Sequence, residues 1–303
     1  MSEADQPTRC GFVALIGAPN AGKSTLLNQL VGAKISIVSR KVQTTRTQVR
    51  GIALSGTAQI IFVDTPGIFA PKRRLDRAMV TSAWGGATDA DLIGVLIDVA
   101  RFEHEENTVL LEKLAELKQP KFLILNKIDT VPKEKLLEIT AKVNERGQFE
   151  ATFMVAALTG YGVKDILTWL EKRLPLGPWL YPEDQISDAP LRFLAAEITR
   201  EKIFERLHDE LPYRSTVETE SWQQKPDGSV RIEQTIYVER EGQRKIVLGE
   251  GGQTIKAIGQ KARAEIAEAA EAKVHLFLFV KVRENWGDDP ERYREMGLDF
   301  PKG

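Results

Sequence analysis

Short apolar runs separated by helical periods organise the first half of the chain. Residues 12–16, 59–63, 92–98, 121–125 and 152–155 are runs of four to seven mostly apolar residues and read as buried strands. Between and after them, residues 24–30, 107–117 and 163–174 carry apolar positions at helical spacing. Residues 37–47 are polar and basic with no clear period, and read as a loop. Strands alternating with helices predict an α/β fold, a mostly parallel sheet with helices on both faces. Prolines 175, 178 and 182 then end the last helix and enforce an extended path.

A different order follows. Helix 191–211, strand 216–222, a turn through Lys225-Pro226-Asp227-Gly228, strand 229–239, helix 243–248, a glycine loop at 249–252, helix 253–270 and strand 274–282 predict a smaller α+β domain. The expected organisation is a tail at 1–10, a first domain at 11–175, a linker at 176–190, a second domain at 191–285 and a tail at 286–303. No internal repeat is visible.

Composition narrows the class. A chain of 303 residues, 42% hydrophobic and 28% charged, has the balance of a soluble globular protein of about two domains. A net charge of −1 provides no global basic field, so any nucleic-acid or membrane partner must be held by a local patch. The lone Cys10 excludes an internal disulfide framework and fits a reducing compartment. The first ten residues are polar and no apolar run reaches spanning length, so a cytoplasmic protein is expected.

The chemistry begins at Gly17-Ala18-Pro19-Asn20-Ala21-Gly22-Lys23-Ser24, which fills GxxxxGK[ST] between a strand and a helix. Its glycines let the backbone wrap a phosphate chain, its amides and the helix N-terminus face the anion, Lys23 reaches the β and γ phosphates, and Ser24 ligates Mg²⁺. Thr25 is counted with this nucleotide-binding loop. A bare glycine-rich turn is the bland alternative. About 40 residues on, a strand ends in Asp64-Thr65-Pro66-Gly67: Asp64 at the strand's carboxyl end can hold Mg²⁺, directly or through water, and the Gly67 amide can approach the terminal phosphate. Another strand ends in Asn126-Lys127-Ile128-Asp129. Guanine offers two donors on one edge and adenine does not, so the Asp129 carboxylate is the expected guanine reader, with Asn126 bracing the loop and the Lys127 stem covering the ring.

In this order the motifs resemble the translation-factor-related GTPases. That resemblance implies a magnesium-dependent site for GTP and GDP, with Lys23, Thr45 and Gly67 as catalytic groups. It assigns the Mg²⁺ ligand of the switch loop to Thr45, with Thr44 as the fallback, beside Ser24 and Asp64. Ala156-Ala157 stands where Ser-Ala is usual, and the Ala157 amide is implied as a donor to the guanine carbonyl. Ile68 replaces the glutamine that orients water in many GTPases, so slow intrinsic hydrolysis is expected. Asn20 resembles an asparagine that holds K⁺ in some relatives; a loop-bracing amide is the other reading.

In the second domain, Gly249-Glu250-Gly251-Gly252 lies between two helices and resembles the type II KH domain, whose GxxG backbone clamps about four nucleotides. The loop departs from that pattern in having Glu250-Gly251 where a basic residue is usual. Residues 191–303 hold 19 Lys and Arg against 21 Asp and Glu, so phosphate contacts must come from a few side chains, expected at Lys245, Lys256 and Arg263. A KH-like module used for packing, or for a protein or membrane contact, competes with this reading. Lys72-Arg73-Arg74 reads as a solvated face.

A GTPase domain followed by a type II KH domain resembles the Era family of bacterial ribosome-assembly GTPases, with further matches at Lys34-Ile35-Ser36, Arg200-Glu201-Lys202 and Trp286-Gly287-Asp288-Asp289. The resemblance implies binding to the 3′ end of 16S rRNA on the small ribosomal subunit and a cytoplasmic location with peripheral association at the inner membrane; the short linker between the domains separately leads to the expectation that RNA affinity depends on the bound nucleotide. No lipidation motif or basic amphipathic helix accounts for the membrane contact. A monomer is expected.

Overall fold

The computed structural model describes residues 7–39, 41, 44–71, 73–284 and 286–301. Arg40, Val42 and Gln43 of the expected loop and Lys72 of the basic run lie outside the described residues. The chain forms two compact units, one of Met1–Ser36, Thr45–Asp188 and Met296–Gly303, the other of Ile37–Thr44 and Ala189–Glu295.

The first unit runs β1 (Arg9–Gly17), α1 (Lys23–Val31), β2 (Val49–Ser55), β3 (Ala58–Asp64), α2 (Arg74–Asp89), β4 (Leu92–Asp98), α3 (Glu105–Leu114), β5 (Lys121–Asn126), α4 (Lys133–Arg146), β6 (Thr152–Val155) and α5 (Val163–Glu171). The sheet order is β2-β3-β1-β4-β5-β6, and every pairing is parallel except β2 with β3. All seven residues of β3 and of β4 are buried, as expected for strands covered on both faces. One face packs the buried residues of α2, α3 and α4 around Ile16, Val95 and Leu123; α1 and α5 cover the other. Because β1, β3, β5 and β6 run parallel, their carboxyl ends, and with them the motifs at 17–24, 64–67, 126–129 and 156–157, emerge along one edge.

Three elements of this unit are absent from the sequence pattern above. The edge strand β2 carries Gly51 in its interior, where a Cβ would meet Ile35 Cδ1 at 2.5 Å. The helix α2 contains Gly85-Gly86, a pair with poor helix propensity, and its start is secured by the Arg73 amide donating to Asp76 Oδ2 at 3.0 Å. The helix α4 buries Leu136, Ile139 and Val143 at helical spacing.

The second unit runs α6 (Leu191–Arg206), β7 (Ser215–Gln224), β8 (Val230–Val238), α7 (Glu241–Leu248), α8 (Gln253–Ala269), β9 (Val274–Val282) and α9 (Pro290–Glu295). Its sheet, β7-β8-β9, pairs β8 antiparallel to β7 and parallel to β9, which makes β9 an edge strand. The helices α6 and α8 pack together over one face. The expected tail is ordered in its first part: buried Trp286 donates from Nε1 to Arg214 O at 3.0 Å, and Arg292 pairs with Glu218 and sits 4.5 Å over the Tyr237 ring. Within the same unit, Val38 N donates to Glu201 Oε1 at 2.7 Å and Arg200 Nη2 to Thr44 O at 2.6 Å.

The helix α6 also holds an ion cluster. Lys202, 8% exposed, lies 2.7 Å from Glu201, 3.2 Å from Glu205 and 2.6 Å from Glu265. Burial pulls the Lys202 pKa down, but the hydrogen bonds and charges of Glu201 and Glu265 outweigh it and hold the ammonium above the ordinary lysine range. Lys202→Met, which removes the buried cation that Glu201, Glu205 and Glu265 share, is expected to lower unfolding free energy by about 3–5 kcal/mol. Urea unfolding of the full chain measures this, and a cost near zero would mean that the cluster re-pairs. Among the described residues no helix is long and apolar enough to cross a membrane.

Candidate nucleotide site and nucleic-acid groove

The phosphate loop is shaped by its neighbours. Gly22 has φ 101°, and a Cβ there would stand 2.3 Å from Asn126 Nδ2. Only glycine fits both the conformation and the space. Asn20 also takes a left-handed conformation, with φ 62°. The Lys23 ammonium, buried, donates to Gly17 O and Ala18 O at 3.1 Å each. Burial lowers its pKa to about 8, opposed by the charges of Asp64 and Glu106.

Asp64 is fully buried at the end of β3, where Oδ2 accepts from Ser24 Oγ at 2.7 Å and from Ser36 Oγ at 2.9 Å. Its Oδ1 has no hydrogen-bond partner among the described residues. Burial pushes the Asp64 carboxyl up, while Lys23 and the two serines pull it down. The loop also brings Thr45 to Ser24, with their hydroxyls 2.9 Å apart; the Thr44 hydroxyl instead donates to Lys41 O at 2.9 Å. A buried ammonium resting on backbone carbonyls, beside a buried carboxylate with an orphaned oxygen and two hydroxyls, fits a phosphate chain and a divalent cation. Each would offset the desolvation of one of these groups.

Beyond the carboxylate, Thr65 Oγ1 donates to Leu15 O at 2.8 Å, Pro66 and Gly67 are buried, and the Ile68 amide donates to Gly17 O at 3.1 Å. The Ile68 side chain is buried and offers no polar atom.

The loop at 126–129 is tied to the phosphate loop. Asn126 Nδ2 donates to Ala21 O at 2.8 Å, and Lys127 Nζ donates to Asn20 O at 2.7 Å and to Asp98 Oδ2 at 2.6 Å. With φ 62° at Lys127, the chain turns left-handed into a short 3-10 segment, Ile128–Thr130, that carries Asp129 exposed. The Ala157 amide, which the resemblance assigns to the guanine carbonyl, here donates to Asn126 Oδ1 at 3.0 Å, and the Ala156 amide bonds Tyr161 O at 3.1 Å. Asn126 therefore braces two loops at once.

Three contributors to this site were not singled out from sequence. Asn28 Oδ1 accepts from the Ile35 and Ser36 amides at 3.0 Å each, and its Nδ2 donates to Ser36 O at 2.8 Å. That grip presents the Ser36 hydroxyl to Asp64. Asp98 anchors Lys127. Only the match at Lys34-Ile35-Ser36 hinted at the first pair, and for Asp98 the signal was its position at the end of a buried strand.

In the second unit, Gly249 has φ 73°, Gly251 φ 57° and Gly252 φ 79°. A Cβ on Gly249 would lie 2.2 Å from Thr254 Oγ1, so this residue must be glycine for space as well as conformation. Beside the loop a cavity of about 440 Å³ opens between α8 and β9, lined among others by Lys256, Gly259, Arg263, Leu276 and Leu278. The cations Lys256 and Arg263 thus share an apolar groove. Lys245, exposed on α7, is outside its lining.

Comparison with known proteins extends these observations. A family model described as 50S ribosome-binding GTPase matches residues 12–127, and a KH domain model matches residues 210–287. The GTPase Era of Afipia carboxidovorans is 67% identical over 300 residues, covering 99% of this chain and 97% of the relative. The GTPase Era of Sinorhizobium medicae is 68% identical over 296 residues, covering 98% and 96%. A crystal structure of Era in complex with MgGDPNP and nucleotides 1506–1542 of 16S ribosomal RNA has a TM-score of 0.91 at 36% identity, covering 96% of this chain and 99% of that one. A variant of Aquifex aeolicus Era bound to GDP and tetrafluoroaluminate has a TM-score of 0.90 at 36% identity, with the same coverage. Two-thirds identity across both units, with every phosphate-loop and base-loop motif in place, means that the chain belongs to the Era family of GTPases.

Proposed function

We propose that this GTPase is a nucleotide-controlled switch that binds the 3′ end of 16S rRNA and assists assembly of the small ribosomal subunit. The observation that carries the reading is the RNA-bound Era structure, which matches 96% of this chain and holds both MgGDPNP and 16S rRNA nucleotides. This chain keeps a fitting residue set for each ligand.

At the nucleotide, the loop 17–25 wraps the phosphates and the Lys23 ammonium exchanges its backbone carbonyls for β and γ oxygens. Ser24, Thr45 and Asp64 would hold Mg²⁺, which would supply positive charge to offset that of the phosphates. The Gly67 amide faces the terminal phosphate. With Ile68 in the water-orienting place, the side chains leave hydrolysis slow in the absence of an activator. Asp129 accepts both guanine donors, while Asn126 and Lys127 hold its loop to the phosphate loop. In the second unit the glycines at 249–252 let backbone approach RNA phosphates, with Lys256 and Arg263 along the groove and Lys245 on the adjoining helix.

Asp64→Asn keeps the shape but removes the charge. The Mg²⁺ concentration for half-maximal GTP hydrolysis is expected to rise by roughly 10–100-fold. An unchanged Mg²⁺ titration would remove Asp64 from the metal site. For Asn20, hydrolysis compared in K⁺ and Na⁺ separates ion binding from loop bracing.

The experiment that tests the whole reading is binding of RNA with the 16S 3′ sequence against a scrambled control, in Mg²⁺ with GDP or a non-hydrolysable GTP analogue, at fixed salt. Selective binding that is tighter with the analogue is expected. Without selectivity in either state, the KH unit would be a protein-contact or membrane-contact module. Co-sedimentation with anionic vesicles tests the peripheral association at the inner membrane.

A further inference from the structure

The groove uses one face of β9, and the opposite face is exposed. Along this edge strand the side chains alternate, so Leu276 and Leu278 line the groove while Phe277 and Phe279 project from the opposite face of the strand, 42% and 48% exposed. Single exposed apolar residues need no explanation. Here, however, two phenylalanines stand at i and i+2, about 7 Å apart along one strand. They directly oppose Glu233 and Thr235 of β8.

Two cations flank the pair. Arg231 lies 4.5 Å over the Phe277 ring and pairs with Glu233 at 2.6 Å, and Lys281 is exposed two positions beyond Phe279. The other acids of this face are engaged: Glu218 with Arg292, and Glu220 with the Tyr237 hydroxyl at 3.0 Å. Exposed rings on an edge strand, layered with a guanidinium, can stack unpaired bases.

We propose that Phe277 and Phe279 form a second RNA-contact platform, which takes two unpaired bases of single-stranded RNA as it leaves the groove around the edge of β9. Continuity selects this occupant: the platform and the groove are two faces of the same strand, with no other strand beyond it among the described residues. The inference rests on the RNA reading above and adds a surface the GxxG groove does not include. Arg231 extends the stack at the Phe277 end, and Lys281 meets the backbone phosphate beside Phe279.

The test compares two RNAs on the full chain with Mg²⁺ and a non-hydrolysable GTP analogue: one of about four nucleotides, which fills the groove alone, and one extended by three nucleotides at each end. Phe277→Leu with Phe279→Leu keeps apolar bulk and removes the rings, and Phe279→Trp keeps a stacking surface. The double leucine variant is expected to lose about tenfold or more in affinity for the long RNA and nothing for the short one, with Phe279→Trp retaining both. Unchanged long-RNA binding, or equal loss on both RNAs, overturns the platform. Intact RNA binding with lost co-sedimentation on small subunits would assign the face to a protein and overturn it too. If the wild-type chain binds neither RNA selectively, the parent reading fails first.

Discussion

Asp129→Asn lowers GDP and GTP affinity by an expected factor on the order of 10³ or more, because a site built around hydrogen bonds to a ligand's N–H groups is left with donors facing donors. Guanine presents N1–H and an exocyclic amine, and the Asp129 carboxylate can accept both. An asparagine there offers one acceptor and turns an amide N–H toward a donor. The same change favours a base with a carbonyl at that edge, so xanthine nucleotides are expected to gain while adenine nucleotides stay weak. Asp129 is exposed on the short 3-10 segment Ile128–Thr130, and the loop is held by Asn126 and Lys127, so the substitution should not disturb the fold. Equilibrium titration with GDP, XDP and ADP measures it. Retained GDP affinity would remove Asp129 from the base site, and a loss shared by all three nucleotides would point to a collapsed loop.

The second large effect is expected at the KH loop. Gly249→Asp with Gly252→Asp should reduce RNA binding by about 100-fold or more while GTP hydrolysis is unchanged, since side chains block the backbone approach and carboxylates repel phosphates. The two positions differ in cost. At Gly249 a Cβ would press on Thr254 Oγ1 at 2.2 Å, so misfolding of this unit competes as an explanation. At Gly252 nothing lies within 4 Å, and only the positive φ of 79° opposes a side chain. Gly252→Asp alone is therefore the cleaner probe. RNA binding equal to wild type in that variant, with the second unit's unfolding transition intact, would take the loop out of the RNA site.

The legible parts of this protein were those where the chemistry sits in consecutive residues. The loops at 17–24, 64–67, 126–129 and 249–252 each follow or precede a regular element whose apolar pattern is strong, so type and place could be read together. The missed elements had locally contradictory signals. In α2 the Gly85-Gly86 pair weakens the helical pattern, yet Ala83 and Ala87 are fully buried against the sheet, and packing overrides propensity. In β2 the interior Gly51 reads as a breaker, while in the fold it makes room for Leu27, Val31 and Ile35.

What the sequence determined by itself was the class of ligand to expect: a phosphate cradle and an expected guanine reader, read from residue type at short spacing, whereas the glycine loop at 249–252 pointed to nucleic-acid backbone only through its resemblance to KH domains. What only the tertiary structure decided was how those pieces brace one another. Strand order brings Asn126 to Ala21 and Lys127 to Asn20, links across more than 100 positions, and places Thr45, not Thr44, against Ser24. It also directs the Ala157 amide to Asn126 and sets the Ser36 hydroxyl on Asp64. Such contacts follow from which strands become neighbours. That choice minimises exposed apolar surface over the whole unit, so no local pattern of residues records it.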